Sequence, residues 1–90
     1  MTVELSKRFR KILRESLRGV EVSAALTLAP EGFESPSAHS RLAIRKLSES
    51  LYECRTRLGW RLIFEARNGV MTFDFAGDHD EVQKYLRRRR

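Results

Sequence analysis

Few residues in this chain could do proton or covalent chemistry, and their spacing narrows the choice. The histidines are His39 and His79, and the one cysteine is Cys54. Neither Cys-x-x-Cys nor His-x-x-x-His occurs, so these residues lack the spacing of a metal site. No glycine-rich phosphate loop is present. Ser35 and Ser37 flank Pro36 and read as loop residues rather than nucleophiles. His79 suits proton transfer, because an unperturbed imidazole titrates near 6.5. The arginines suit a phosphate, because a planar guanidinium donates in pairs to its oxygens. The plain alternatives on spacing alone are a surface histidine in a helix's first turn and solvated arginines on a strand.

Charge points the same way. Eighteen Lys and Arg against twelve Asp and Glu leave +6 on 90 residues. That balance favours an anionic partner such as nucleic acid, an acidic protein or a membrane surface. The hydrophobic fraction of 41% and charged fraction of 33% are those of a globular chain. Ninety residues allow one domain, 1–90, with no room for a separate cofactor domain. A lone cysteine excludes an internal disulfide framework and suits a reducing compartment. No run approaches the roughly 18 apolar residues of a membrane span. Met1-Thr2-Val3-Glu4 lacks the apolar core of a signal peptide. The expected location is the cytoplasm, and no membrane partner is expected.

The elements that must position these residues follow from periodicity. Leu5, Phe9, Ile12, Leu13 and Leu17 have helical spacing, with Lys7, Arg8, Arg10, Lys11 and Arg14 between them. This predicts an amphipathic helix over roughly 3–18, ending near Gly19. Residues 20–29 fit a helix or a strand equally well: three alanines favour the first, two valines and Thr27 the second. Pro30-Glu31-Gly32 and Ser35-Pro36-Ser37 predict a loop over 30–40. Arg41–Leu47 and Leu51–Arg57 are candidate strands. Trp60, Leu62 and Phe64 alternate with Arg61, Ile63 and Glu65, while Met71, Phe73 and Phe75 alternate with Thr72 and Asp74. Asn68-Gly69 between them predicts a type I′ hairpin with its aromatic face buried. Alternation turns Arg61 away from Trp60 and Leu62, toward the solvated side of the sheet. Arg55 joins Arg57 on one face if their strand is regular. Asp78 and Glu81 have capping-box spacing, and Val82, Tyr85 and Leu86 form the apolar stripe of a final helix. Tyr85 and Cys54 read as core residues. The expected fold class is α+β: N-terminal helices packed on one face of an antiparallel sheet, with a short C-terminal helix.

Three stretches also carry a resemblance. Leu51-Tyr52-Glu53-Cys54-Arg55, Gly59-Trp60-Arg61-Leu62-Ile63-Phe64 and Gly77-Asp78-His79-Asp80-Glu81-Val82 resemble, in order and spacing, the RelE/ParE toxin superfamily of bacterial toxin–antitoxin systems. The nearest likeness is to its YafQ-like branch of mRNA interferases. Arg45-Lys46-Leu47 is similar to the family's basic entry into the sheet. The resemblance spans roughly 41–86. It implies a RelE-like fold, ribosome-dependent cleavage of mRNA, and a cognate antitoxin that masks the site. It implies His79 as general acid or base, with Arg61 and Arg55 as phosphate stabilisers. Arg45, Lys46 and Arg57 are candidates for contact with the RNA backbone. No metal and no small-molecule cofactor are expected; ribosome and mRNA are the expected partners.

Two positions differ from the family pattern. Gly59 stands where the nearest branch has an acidic residue, and Gln83 follows Val82 where many members have tyrosine or phenylalanine. These favour a rival reading, a non-catalytic binder on the same fold (a gyrase inhibitor or a decayed toxin); a third reading is a small basic RNA- or ribosome-binding module.

Overall fold

A computed structural model describes residues 1–16, 18–35 and 42–89. The chain opens with a strand rather than a helix: β1 is Thr2–Leu5 and α1 is Lys7–Glu15. Ser6 separates them. Its hydroxyl accepts from Phe9 N at 3.0 Å, a side-chain cap that starts the helix four residues later than periodicity suggests. Leu5 therefore leaves the helix but still packs on the core, whereas Leu17 lies outside the described residues. β1 pairs parallel with the strand Val70–Gly77, Thr2 opposite Val70 and Leu5 opposite Phe73. The sheet is thus mixed, not purely antiparallel.

The second helix, α2, is Gly19–Glu34. It resolves the ambiguity over 20–29 and runs through Pro30, into the segment expected to be loop. A proline inside a helix costs about 3 kcal/mol through a lost hydrogen bond and a ring clash. Packing offsets it here: Val22, Ala25, Ala29 and Gly32 are buried at i, i+3, i+7 and i+10. Beyond them Phe33 sets its ring edge-on against Tyr52 and Phe64, at 4.9 and 5.7 Å between centroids. The rest of the expected loop, 36–40, lies outside the described residues.

Four more strands follow: β2 (Arg45–Lys46), β3 (Leu51–Arg55), β4 (Arg61–Arg67) and β5 (Val70–Gly77). The sheet order is β1-β5-β4-β3-β2. β2 is much shorter than the strand expected over 41–47, whose first residue lies outside the described set. β3 stops at Arg55 because Thr56 and Arg57 enter a tight turn. The hairpin at Asn68-Gly69 forms as expected, with φ of 51° and 76°.

One irregularity decides which face each aromatic takes. Ile63 pairs with Phe75 but Phe64 pairs with Phe73, which leaves Asp74 as an extra residue in β5. The bulge flips the alternation. Met71 and Phe73 join the main core beneath α1 and α2, whereas Phe75 moves to the opposite face. There it meets the last helix, α3 (His79–Arg89), and stacks on Tyr85 with 4.5 Å between centroids. The helices therefore lie on both faces, α1 and α2 on one and α3 on the other. The main core includes Phe9, Val22, Leu62, Phe64 and Phe73; the second cluster is Leu51, Ile63, Val82 and Tyr85. Cys54 is fully buried, and burial pushes its thiol up to about 12. Among the described residues, no helix is long and apolar enough to cross a membrane.

Candidate functional site

The face that carries α3 also carries the basic residues singled out above. Along β3, alternation places Leu51, Glu53 and Arg55 on this face and Tyr52 and Cys54 in the main core. Cross-strand register then sets Arg45 opposite Glu53 and Arg55 opposite Arg61. Two arginines directly opposite one another repel. The fully buried Glu53 lies between the arginines and answers them: its Oε1 accepts from Arg61 Nη1 at 3.0 Å and lies 3.7 Å from Arg55 Nε. Its Oε2 is 3.8 Å from Arg45 Nη2, too far for a hydrogen bond. Glu53 Oε2 and Arg55 Nε are both buried without a hydrogen-bond partner among the described residues. Three guanidiniums around one carboxylate leave a net charge of +2.

Arg61 is consequently not solvated, as alternation alone suggested. Its side chain is only 16% exposed, because the ion pair with Glu53 draws it onto the sheet. Arg45 and Arg55 are more open. His79 is exposed at the start of α3, two residues beyond Gly77, which pairs with Arg61 across the β4–β5 ladder. The capping box forms here: Glu81 N donates to Asp78 Oδ1 at 2.8 Å, and Asp78 N donates to Glu81 Oε1 at 2.9 Å. Gly77 permits this closure, since a Cβ there would sit 3.0 Å from the Glu81 side chain. The fold thus gathers Arg45, Arg55 and Arg61, and brings α3's first turn to the same end of β4. It does not gather Lys46, which alternates to the face opposite Arg45, or Arg57, which lies exposed in the β3–β4 turn.

Two features escaped sequence reasoning. Glu53 carries the signal that could have revealed it, an i, i+2 spacing from Arg55 on a strand whose next partner presents Arg61. The second is a polar knot at the other side of α3. Tyr85 donates its hydroxyl to Asp74 Oδ2 at 2.5 Å, and Arg8 reaches the same oxygen at 3.4 Å while lying over the Tyr85 ring. These residues line a cleft of about 730 Å³ with Lys84, Arg88 and Arg89. Burial alone would raise Asp74, but hydrogen bonds from Tyr85 and Ser6 and the charges of Arg8 and Arg89 outweigh it and hold its carboxyl below the usual range. Burial and the Asp74 carboxylate push the Tyr85 phenol up to about 12. Among the described residues, no group of three or more His, Cys, Asp or Glu side chains could hold a metal ion.

Among the described residues, three helices lie on a five-stranded mixed sheet of order β1-β5-β4-β3-β2, a RelE-like fold, α+β in class. In particular the chain is similar to YafQ from E. coli strain BL21(DE3), with a TM-score of 0.65 at 13% identity over 89% of this chain and 94% of that one. It is also similar to a chain of the intact E. coli RelBE toxin–antitoxin complex, with a TM-score of 0.58 at 22% identity, covering 86% of this chain and 94% of that one. At these identities the likeness is one of fold. No family profile and no curated protein sequence matches the chain.

Proposed function

We propose that this chain is the toxin of a bacterial toxin–antitoxin pair, acting in the cytoplasm as a ribosome-dependent mRNA endoribonuclease that needs no metal or cofactor. The observation that carries the reading is the arginine cluster around Glu53 beside the first turn of α3. A phosphodiester holds one negative charge, and the pentacoordinate state formed by 2′-oxygen attack holds close to two. A net +2 fixed in place favours that state over the bound substrate, which is where catalysis gains rate. In this reading the 2′-oxygen bonds to phosphorus and the bond to the 5′-oxygen breaks, giving a cyclic phosphate and a 5′-hydroxyl. His79 moves a proton at one of those oxygens. Arg61 and Arg55 hold the phosphate; Arg45, Lys46 and Arg57 contact the flanking backbone. Glu53 holds the guanidiniums in register. The likeness to a chain of a toxin–antitoxin complex supports a cognate antitoxin as partner, and an acidic segment over the face carrying Arg61 is the complementary occupant.

The test is cleavage of ribosome-bound mRNA by the purified chain, compared with His79→Ala and Arg55→Ala. Cleavage by the wild type and its loss in both variants supports the reading; a wild type that leaves mRNA intact overturns it. A non-catalytic binder on the same fold is the second reading. Gly59 and Gln83 favour it, and the structure adds that, among the described residues, no hydrogen bond or ion pair orients the His79 side chain.

A further inference from the structure

The turn that joins β3 to β4 is built more tightly than a surface connection needs, and it displays a leucine. Thr56 N donates to Trp60 O at 2.7 Å, Gly59 N to Thr56 O at 3.0 Å, and Trp60 N to Thr56 Oγ1 at 3.0 Å. The Thr56 hydroxyl also bonds Glu21 of α2, which Arg18 pairs at 3.5 Å. Arg18 in turn lies over the Trp60 ring, 5.7 Å from its centroid. Gly59 takes φ of +91° with open space where a Cβ would be, so glycine serves the backbone conformation and not a close approach. The tip is therefore fixed from the chain itself and from α2. At that tip Leu58 is 73% exposed.

Its surroundings select what would cover it. Arg55, Arg57 and Arg61 lie within three residues on either side, and Arg18 stands beside Trp60. The carboxylates that reach this region, Glu21 and Glu53, are each engaged in pairs of their own. An exposed leucine within three residues of Arg55, Arg57 and Arg61 fits a ligand that is flat and apolar on one surface and anionic at its edge. A nucleotide has that character. We propose that Leu58 is a wedge that enters beside a base of the bound RNA and unstacks the nucleotide next to the scissile phosphate.

The inference rests on the endoribonuclease reading and deepens it. Stacked, helical RNA holds the 2′-oxygen away from the line of the bond to the 5′-oxygen, so in-line attack requires that stack to open. Inserted apolar side chains, leucine among them, open base steps at a cost of about a few kcal/mol per step. A wedge held by a rigid turn, two strand ends away from Arg55 and Arg61, would open the step where the phosphate is gripped. Leu58 is a positioning residue in this account and moves no proton.

The experiment uses the full chain, ribosomes, and two mRNAs. One carries a 2′-deoxyribose at the cleavage nucleotide, to block reaction, and 2-aminopurine next to it; the other is all-ribose. Wild-type protein should raise the 2-aminopurine fluorescence as the base unstacks. Leu58→Ser should bind the ribosome and melt as wild type does, yet give no fluorescence rise and cleave roughly 10- to 100-fold more slowly, the scale of a small misplacement of reacting atoms. Leu58→Met should restore both signals. A Leu58→Ser variant that unstacks and cleaves as wild type overturns the wedge while leaving the endoribonuclease reading intact. A variant that loses only antitoxin binding assigns the leucine to a protein interface and also overturns it. Wild type that neither cleaves nor changes the fluorescence overturns the parent reading itself.

Discussion

Arg61 donates to Glu53 across 3.0 Å, and both side chains are largely withdrawn from water. The pair joins β4 to β3 on the face carrying α3, and it makes one residue answer to two demands. Arg61 hydrogen-bonds a buried carboxylate and, in the proposed function, also holds the phosphate. Replacing Arg61 with alanine therefore removes more than a contact to RNA. Glu53 keeps Arg45 and Arg55 at 3.8 and 3.7 Å but loses the hydrogen bond from Arg61. Arg61→Ala should cost roughly 1.5–3 kcal/mol, as for other hydrogen bonds to charged groups. Glu53→Gln in the same background should recover part of that, because the orphaned charge is gone. Urea melts of the single and double variants give the coupling, and strictly additive losses would refute it.

His79 makes the opposite prediction. It is exposed and the capping box beside it uses Asp78 and Glu81, so His79→Ala should leave the melting temperature where it is. Cleavage of ribosome-bound mRNA should fall about 10²–10⁴-fold if the imidazole moves a proton. A melt that shifts by many degrees would mark His79 as structural; an unchanged rate would place the proton transfer elsewhere.

The knot between α3 and β5 should show itself in acid. Asp74 is held below its ordinary range, so the folded state binds its proton less readily than the unfolded chain. Its contribution is present above the unfolded value near 3.9 and is lost as pH falls through the lower folded value. Tyr85→Phe removes a hydrogen bond to that carboxylate. The variant should be less stable at pH 7 by roughly 1–2 kcal/mol and should lose less between pH 4 and pH 2 than wild type does. Parallel acid-unfolding curves would count against the knot.

Pro30 is a local cost carried by a well-packed helix. Pro30→Ala restores a backbone donor inside α2 without disturbing Ala29 or Phe33. The gain is partly offset by up to about 1 kcal/mol, because proline also restricts the unfolded chain. The variant should be more stable, with its denaturation midpoint raised. A lowered midpoint would mean that the ring's own packing outweighs the helix it strains.

Much of the fold was legible in local chemistry. The Asn68-Gly69 hairpin, the Asp78–Glu81 cap and the apolar stripe of Val82, Tyr85 and Leu86 each depend on residues within a few positions of one another, where spacing is sufficient. The shared face of Arg55 and Arg61 was not legible there, because the β3–β4 register sets them opposite one another. What local pattern could not contain was every feature set by a distant partner. Thr2–Leu5 becomes a strand because β5 offers an edge 68 residues away, from Thr2 to Val70. Residues 19–34 become one helix through Pro30 because burial against the sheet outweighs the broken hydrogen bond. Phe75 changes face because a single extra residue at Asp74 shifts the register. Arg61 is pulled from solvent because Glu53, eight residues earlier in sequence, is its neighbour across the ladder. Period-2 and period-3.6 patterns report which side chains share a face; only the pairing of strands decides which charges meet on it.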